Sequence, residues 1–227
     1  MIAILGAMQE EITPMLELIG EYEKIDYASN TFYKAKFHGK DIIIAYSKIG
    51  KVNAAITATV MIEKFKAEKL LFSGVAGSLN PNLHICDIIY ATKVAQHDLD
   101  ITAFGHPHGY VPGIEVFCKT DNALNQIAMS VAKEQSINLI GGVVASGDQF
   151  ICAQDKKDWI KATFNADAVE MEGASVGQVC AQLNVPFFML RAISDEASGG
   201  ADMDFDEFLD KSAKISAKFV LEMVKKI

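Results

Sequence analysis

The sequence predicts an α/β layer fold with a mostly parallel or mixed sheet, on three observations. Short continuous apolar runs recur along the chain, several ending at glycine or a small polar residue, as strands buried on both faces do. Between them lie segments whose apolar residues fall at helical spacing. Runs and segments alternate along the chain, which is the pattern of strands connected through helices packed on a sheet.

The first run, Ile2 to Leu5, stops at Gly6. The helix after it carries Ile12, Met15, Leu16 and Ile19 at a spacing of three to four, with Gln9, Glu10 and Glu11 in its first turn, where acidic side chains suit the positive helix end. Further strands are expected at Phe32–Phe37, Ile42–Tyr46, Leu70–Ser73, Ile88–Lys93, Val143–Ser146 and Phe187–Ile193. Helices are expected at Val52–Lys66, Leu124–Gln135, Ala174–Leu183 and Phe205–Lys226, the last with Phe205, Phe208, Leu209, Ile215, Phe219 and Met223 in helical register. Asp121 opens the helix at Leu124. Ligands of such sheets bind beyond the carboxyl ends of strands, so the polar loops there matter most.

Composition narrows the classes. The 227 residues are 50% hydrophobic and 22% charged, a globular balance without a linker-like stretch, and one domain spanning 1–227 is expected. The first apolar run is too short for a signal segment and no run of membrane-spanning length follows, so a soluble chain is expected. Four cysteines at 86, 118, 152 and 180 form no CxxC pair and suit thiols in a reducing, cytoplasmic compartment. A net charge of −8 without a basic patch argues against a nucleic-acid partner. No GxGxxG follows the first strand and no GxxxxGK[ST] occurs, which removes the main support for dinucleotide or nucleoside-triphosphate binding. No repeat of solenoid period is visible.

Polar residues embedded in apolar sequence mark the informative places. They are Met8-Gln9-Glu10-Glu11, Ser146-Gly147-Asp148-Gln149-Phe150-Ile151, Val169-Glu170-Met171-Glu172-Gly173 and Arg191-Ala192-Ile193-Ser194-Asp195. If these loops converge, carboxylates from Glu11, Glu172 and Asp195 meet in one cleft with Arg191 nearby. Each residue also has a plain structural reading. Glu11 reads equally as a solvated partner of the helix dipole, Glu172 with Glu170 as an exposed acidic turn, and Asp195 as an N-cap paired with Arg191. Met8, Phe150, Met171 and Phe205 read as core. His97-Asp98-Leu99-Asp100 and His106-Pro107-His108 lack a zinc-ligand spacing, and neither a metal nor a cofactor is expected.

Taken together, eight segments resemble the 5′-methylthioadenosine/S-adenosylhomocysteine nucleosidases of the nucleoside phosphorylase superfamily, over essentially the whole chain. They are Ile4-Leu5-Gly6-Ala7-Met8 with Glu10-Glu11, Ile49-Gly50-Lys51-Val52, Gly74-Val75-Ala76-Gly77, Thr102-Ala103-Phe104-Gly105, Ser146 to Ile151, Val169 to Glu172, Arg191 to Asp195, and Phe205-Asp206-Glu207-Phe208. The resemblance implies a three-layer α/β/α fold with a mixed, largely parallel central sheet. It implies hydrolysis of the N-glycosidic bond of 5′-modified adenosines. That reaction builds positive charge on ribose and pushes electrons into the base, so it needs a proton donor at adenine and a water on the opposite face.

By the same resemblance Asp195 is the general acid at adenine N7, which requires its carboxyl to hold a proton near neutral pH, with Ser194 orienting it. Glu11 positions and deprotonates the water, Glu172 grips the ribose hydroxyls, and Arg191 keeps Glu11 ionised and oriented. Phe150 stacks on adenine and the backbone of Ile151 bonds the base edge. Met8, Ile49, Met171 and Phe205 wall the sugar and its 5′ group, and Gly77 also belongs to the substrate site. Ile101, Phe104 and Pro112 match positions supplied by a partner subunit, which implies a homodimer. Phosphorolytic relatives grip phosphate with arginines, whereas the loop after the first strand offers Met8 to Glu11 and Leu70–Leu79 has no arginine, which favours water over phosphate. Val75 and His106 depart from the family pattern, at the catalytic water and near the 5′ end. These departures keep a second substrate open, 6-amino-6-deoxyfutalosine of menaquinone biosynthesis. The same residues also admit a purine nucleoside phosphorylase or a catalytically inactive nucleoside-binding protein.

Overall fold

The computed structural model describes residues 1–195 and 201–227, with side chains described for 1–195 and 208–227. The expected side chain of Phe205 therefore lies outside the described residues. The first strand, β1 (Ile2–Gly6), leads into α1 (Gln9–Ile19), and β2 (Glu23–Tyr27), β3 (Asn30–Phe37) and β4 (Lys40–Tyr46) follow as a meander. Next come α2 (Lys51–Glu63), β5 (Lys69–Ser78), β6 (Ile88–Gln96), a 3₁₀ turn at Thr102–Phe104, β7 (Cys118–Lys119) and α3 (Asn122–Glu134). The chain continues through β8 (Leu139–Ser146), α4 (Gln154–Phe164), β9 (Ala168–Glu170), α5 (Gly173–Gln182), β10 (Phe187–Asp195) and α6 (Ala201–Lys226).

These strands make one mixed sheet in the order β10-β6-β8-β9-β5-β1-β4-β3-β2, with β7 on β6. Parallel pairing joins β4, β1, β5 and β10, and separately β6, β8 and β9. The two sets meet antiparallel at β5–β9 and β6–β10. Because β10 pairs with β5 as well as β6, five of the strands close on themselves, and that closure sets the ends of β8 and β9 beside β10.

Helices cover both sides. The alternation of β1 separates its side chains, Ala3 and Leu5 facing one apolar cluster and Ile2 and Ile4 the other, all buried. Ala54, Ala58 and Met61 of α2 with Val176 and Cys180 of α5 complete the first cluster. Ile12 and Met15 of α1, Leu124 and Ala128 of α3 and Ala217, Val220 and Val224 of α6 complete the second. A mixed central sheet with helices on both sides is what the sequence predicted. No described helix is long and apolar enough to cross a membrane.

Three strands and one helix lie where none was expected. β2 is largely exposed, so it lacks the apolar signature that marks a buried strand. β7 and β9 have only two and three residues. α4 presents mostly polar residues around a narrow stripe of Ile160 and Phe164. The fifth strand, expected to stop at Ser73, runs on to Ser78 through Gly74 and Gly77.

Candidate active site

The glycines that suggested a strand end are there for close approach. A Cβ on Gly74 would sit 2.6 Å from Glu11 Oε1, and one on Gly77 would sit 2.7 Å from Asp195 Oδ2. The strand therefore continues with no side chain at two points where carboxyl groups press on its backbone. Glu11, from α1, and Asp195, from the end of β10, reach the same short stretch of β5.

Glu11 is only 2% exposed. Its Oε2 accepts the N–H groups of Ala7 at 2.5 Å and Met8 at 3.0 Å, and its Oε1 accepts that of Val75 at 3.0 Å. It thus satisfies donors at the start of α1 and bridges to β5, which a solvated dipole partner would not do. Burial raises its pKa despite the nearby charge of Arg191 and the three N–H groups.

Glu172 stands before α5, at the end of the turn from β9, and its Oε1 accepts the Gly50 N–H at 2.8 Å. Burial, followed by the negative charge of Glu170, pushes its pKa up to about 8. That shift has a stability consequence. The fold holds this proton up to about pH 8, whereas an unfolded glutamate releases it near 4.5, so stability should fall as pH rises across that window. Glu172→Gln escapes this loss, and thermal unfolding should show its Tm advantage over the parent growing by roughly 5 °C between the two ends. A difference constant with pH would refute it.

Ser194, at the end of β10, donates from its hydroxyl to Asp195 Oδ1 at 3.1 Å, with Ala76 O at 3.5 Å. Both residues are buried.

Arg191 departs from the expected arrangement. Its Nη2 pairs with Glu170 Oε2 at 2.7 Å, and its guanidinium lies over the Phe72 ring at 4.0 Å. Its charge acts on Glu11 through space, where it is the largest influence opposing burial and favours the ionised form. Glu170 is likewise no solvated turn residue. It is buried, accepts from Arg191, the Ser146 hydroxyl and the N–H groups of Glu172 and Gly173, and so holds the turn that carries Glu172. The signal for it was a second carboxylate inside an apolar run in a chain with one arginine, since a buried arginine requires a partner.

A cleft of about 360 Å³ opens on these groups. Glu11, Glu172, Ser194 and Asp195 line it with Met8, Ile49, Gly77, Phe150, Ile151 and Met171, as expected. Glu170, Ala7, Val75, Ala76, Gln149 and Val169 line it too. Arg191 lies behind it. Ile101, Phe104, His106 and Pro112 do not line it, and Phe104 is 80% exposed. His106 stacks on Tyr110, with ring centroids 4.3 Å apart, and His108 packs edge-on against Trp159. His97 is buried against Gly147, and burial lowers its pKa. Among the described residues no group of three or more His, Cys, Asp and Glu side chains is placed to hold a metal ion.

Among the described residues, none that lines the cleft is basic. Four carboxyl groups, those of Glu11, Glu170, Glu172 and Asp195, around an apolar hollow of nucleoside size suit a cation-like transition state and a base in need of a proton, and they disfavour a phosphate dianion.

Residues 1–225 match the Phosphorylase superfamily. The chain belongs to that superfamily. An aminodeoxyfutalosine nucleosidase of Campylobacter jejuni subsp. jejuni is 61% identical over 226 residues, covering 100% of this chain and 99% of the relative. A 5′-methylthioadenosine/S-adenosylhomocysteine nucleosidase of Staphylococcus carnosus is 42% identical over 228 residues, covering 100% of both. A solved structure described as the futalosine hydrolase of Helicobacter pylori superposes with a TM-score of 0.98 at 52% identity, covering 100% of this chain and 97% of that one. Within the superfamily, then, the relatives named are nucleosidases, enzymes that hydrolyse N-glycosidic bonds.

Proposed function

We propose that this protein hydrolyses the N-glycosidic bond of 5′-substituted adenosines, releasing adenine and the 5′-modified ribose. The substrates are 5′-methylthioadenosine, S-adenosylhomocysteine, 5′-deoxyadenosine and 6-amino-6-deoxyfutalosine. The observation that carries the reading is the meeting of Glu11, Glu172 and Asp195 in one cleft with no basic residue among its described lining.

Asp195, oriented by Ser194, gives its proton to adenine N7 as the bond breaks. Glu11 takes a proton from the water that attacks the anomeric carbon, and its raised pKa suits a base working near neutrality. Glu172 binds the ribose hydroxyls, and Arg191 acts through Glu170 to hold that turn. Phe150, half exposed at the mouth, stacks on adenine, the Ile151 backbone bonds the base edge, and Met8, Ile49 and Met171 wall the sugar and its substituent. No cofactor takes part.

The protein works as a homodimer in the cytoplasm. Exposed apolar side chains at Phe104, Val52 and Ile56 support an interface between copies, in which the loop bearing Ile101, Phe104, His106 and Pro112 completes the 5′ end of its neighbour's cleft. The free thiols of Cys86, Cys118 and Cys180 support a reducing compartment.

Aminodeoxyfutalosine as the main substrate is supported by the name of the relative at 61% identity. The test is adenine release from the four nucleosides side by side, with and without phosphate. Release in phosphate-free buffer, with no ribose 1-phosphate when phosphate is added, is expected. Release from none of the four would overturn the reading, and phosphate-dependent release would make the protein a phosphorylase.

A further inference from the structure

Three segments distant in sequence meet at the mouth of the cleft through charges that the chemistry above does not use. Lys51 Nζ donates to Asp98 Oδ1 at 2.6 Å and to Gln96 Oε1 at 2.9 Å. Asp98 Oδ2 accepts the Asp148 N–H at 2.8 Å, and Asp148 Oδ1 accepts the Lys51 N–H at 2.7 Å. The three residues therefore close a ring. The Lys51 and Asp98 side chains are 17% and 16% exposed, so the pair is shielded from most of the solvent that weakens surface ion pairs. Burial alone would raise the Asp98 pKa, but the Lys51 ammonium and the Asp148 N–H outweigh it and hold the group ionised.

The ring touches both halves of the site. Asp148 lies two residues before Phe150, in the loop between β8 and α4. Gly50, next to Lys51, donates its N–H to Glu172. The first two N–H groups at the start of α2 thus hold the carboxyl groups of Glu172 and Asp148 side by side. Gly50 has φ of 101°, and a Cβ there would sit 3.1 Å from Asp148 Oδ1, so this close seating depends on glycine.

We propose that Lys51, Asp98 and Asp148 are positioning residues that fix the Phe150 loop against the turn bearing Glu172, setting the distance between base and ribose subsites before the nucleoside arrives. The proposal rests on the reading that Phe150 meets the base. A loop held ready in this way loses less conformational freedom on binding, so the ring acts on affinity more than on the chemical step.

Asp98→Asn and Asp148→Asn, near-isosteric changes that each weaken one link, test it with 5′-methylthioadenosine. Each should raise KM about tenfold, change kcat less than threefold, leave the pH profile of kcat in place and keep Tm within about 3 °C of the parent. Combined with Phe150→Ala, Asp98→Asn should add far less than its own factor, because both act through the same loop. An unchanged KM, a fully multiplicative double variant, or loss of the folded state in place of a KM effect would each overturn the ring. A parent that releases no adenine from any of the four nucleosides would instead sink the functional reading.

Discussion

Asp195→Asn should lower adenine release about a thousandfold or more while leaving nucleoside affinity within about tenfold of the parent. The amide has the size of the carboxyl, so it still fits against Gly77 and still takes the Ser194 hydroxyl. It has no acidic proton, and general acid catalysis of this kind contributes about 10²–10⁴-fold. Single-turnover measurement of adenine release, with affinity read from calorimetry, separates the two quantities. Equal losses of binding and release would mean that Asp195 holds the base and does not protonate it.

Glu11→Gln should reduce kcat by about 10²–10³-fold and also destabilise the fold by about 1–3 kcal/mol. The carboxylate of Glu11 accepts three backbone N–H groups on its two oxygens. A glutamine offers one oxygen and an amide that is itself a donor, so the Ala7 and Met8 pair or Val75 must face it donor to donor. The pH dependence adds a second check. A base works only when deprotonated, so kcat/KM of the parent should rise with pH through an apparent value above the ordinary 4.5 of a glutamate, in the direction burial shifts Glu11. Because Glu11 raises Glu172 in turn, that limb belongs to the pair. An acid limb at or below the ordinary glutamate range would show that Glu11 is not the base.

Much of the site was legible in the order of residues. Carboxylates that follow apolar strands are costly to bury without a purpose, which drew attention to Glu11, Glu172 and Asp195, and all three line the cleft. Glycine most simply signals a strand end, and there the sequence misled. At Gly74 and Gly77 it marks clearance for the carboxyl groups of Glu11 and Asp195, which lie 63 and 118 positions away along the chain. Glu170 was hidden for a related reason, because its partner Arg191 lies on another strand and no local pattern links them.

The sequence by itself determined the alternating elements, the two-faced burial of the central strands and the identity of the acidic side chains, because periodicity and residue type are local properties. Only the tertiary structure decided which carboxylate Arg191 pairs with, which glycines make room for carboxyl groups, and how Lys51, Asp98 and Asp148 join. Those outcomes depend on β10 closing against β5, a long-range pairing that brings the ends of oppositely directed strands together and whose geometry no single segment encodes.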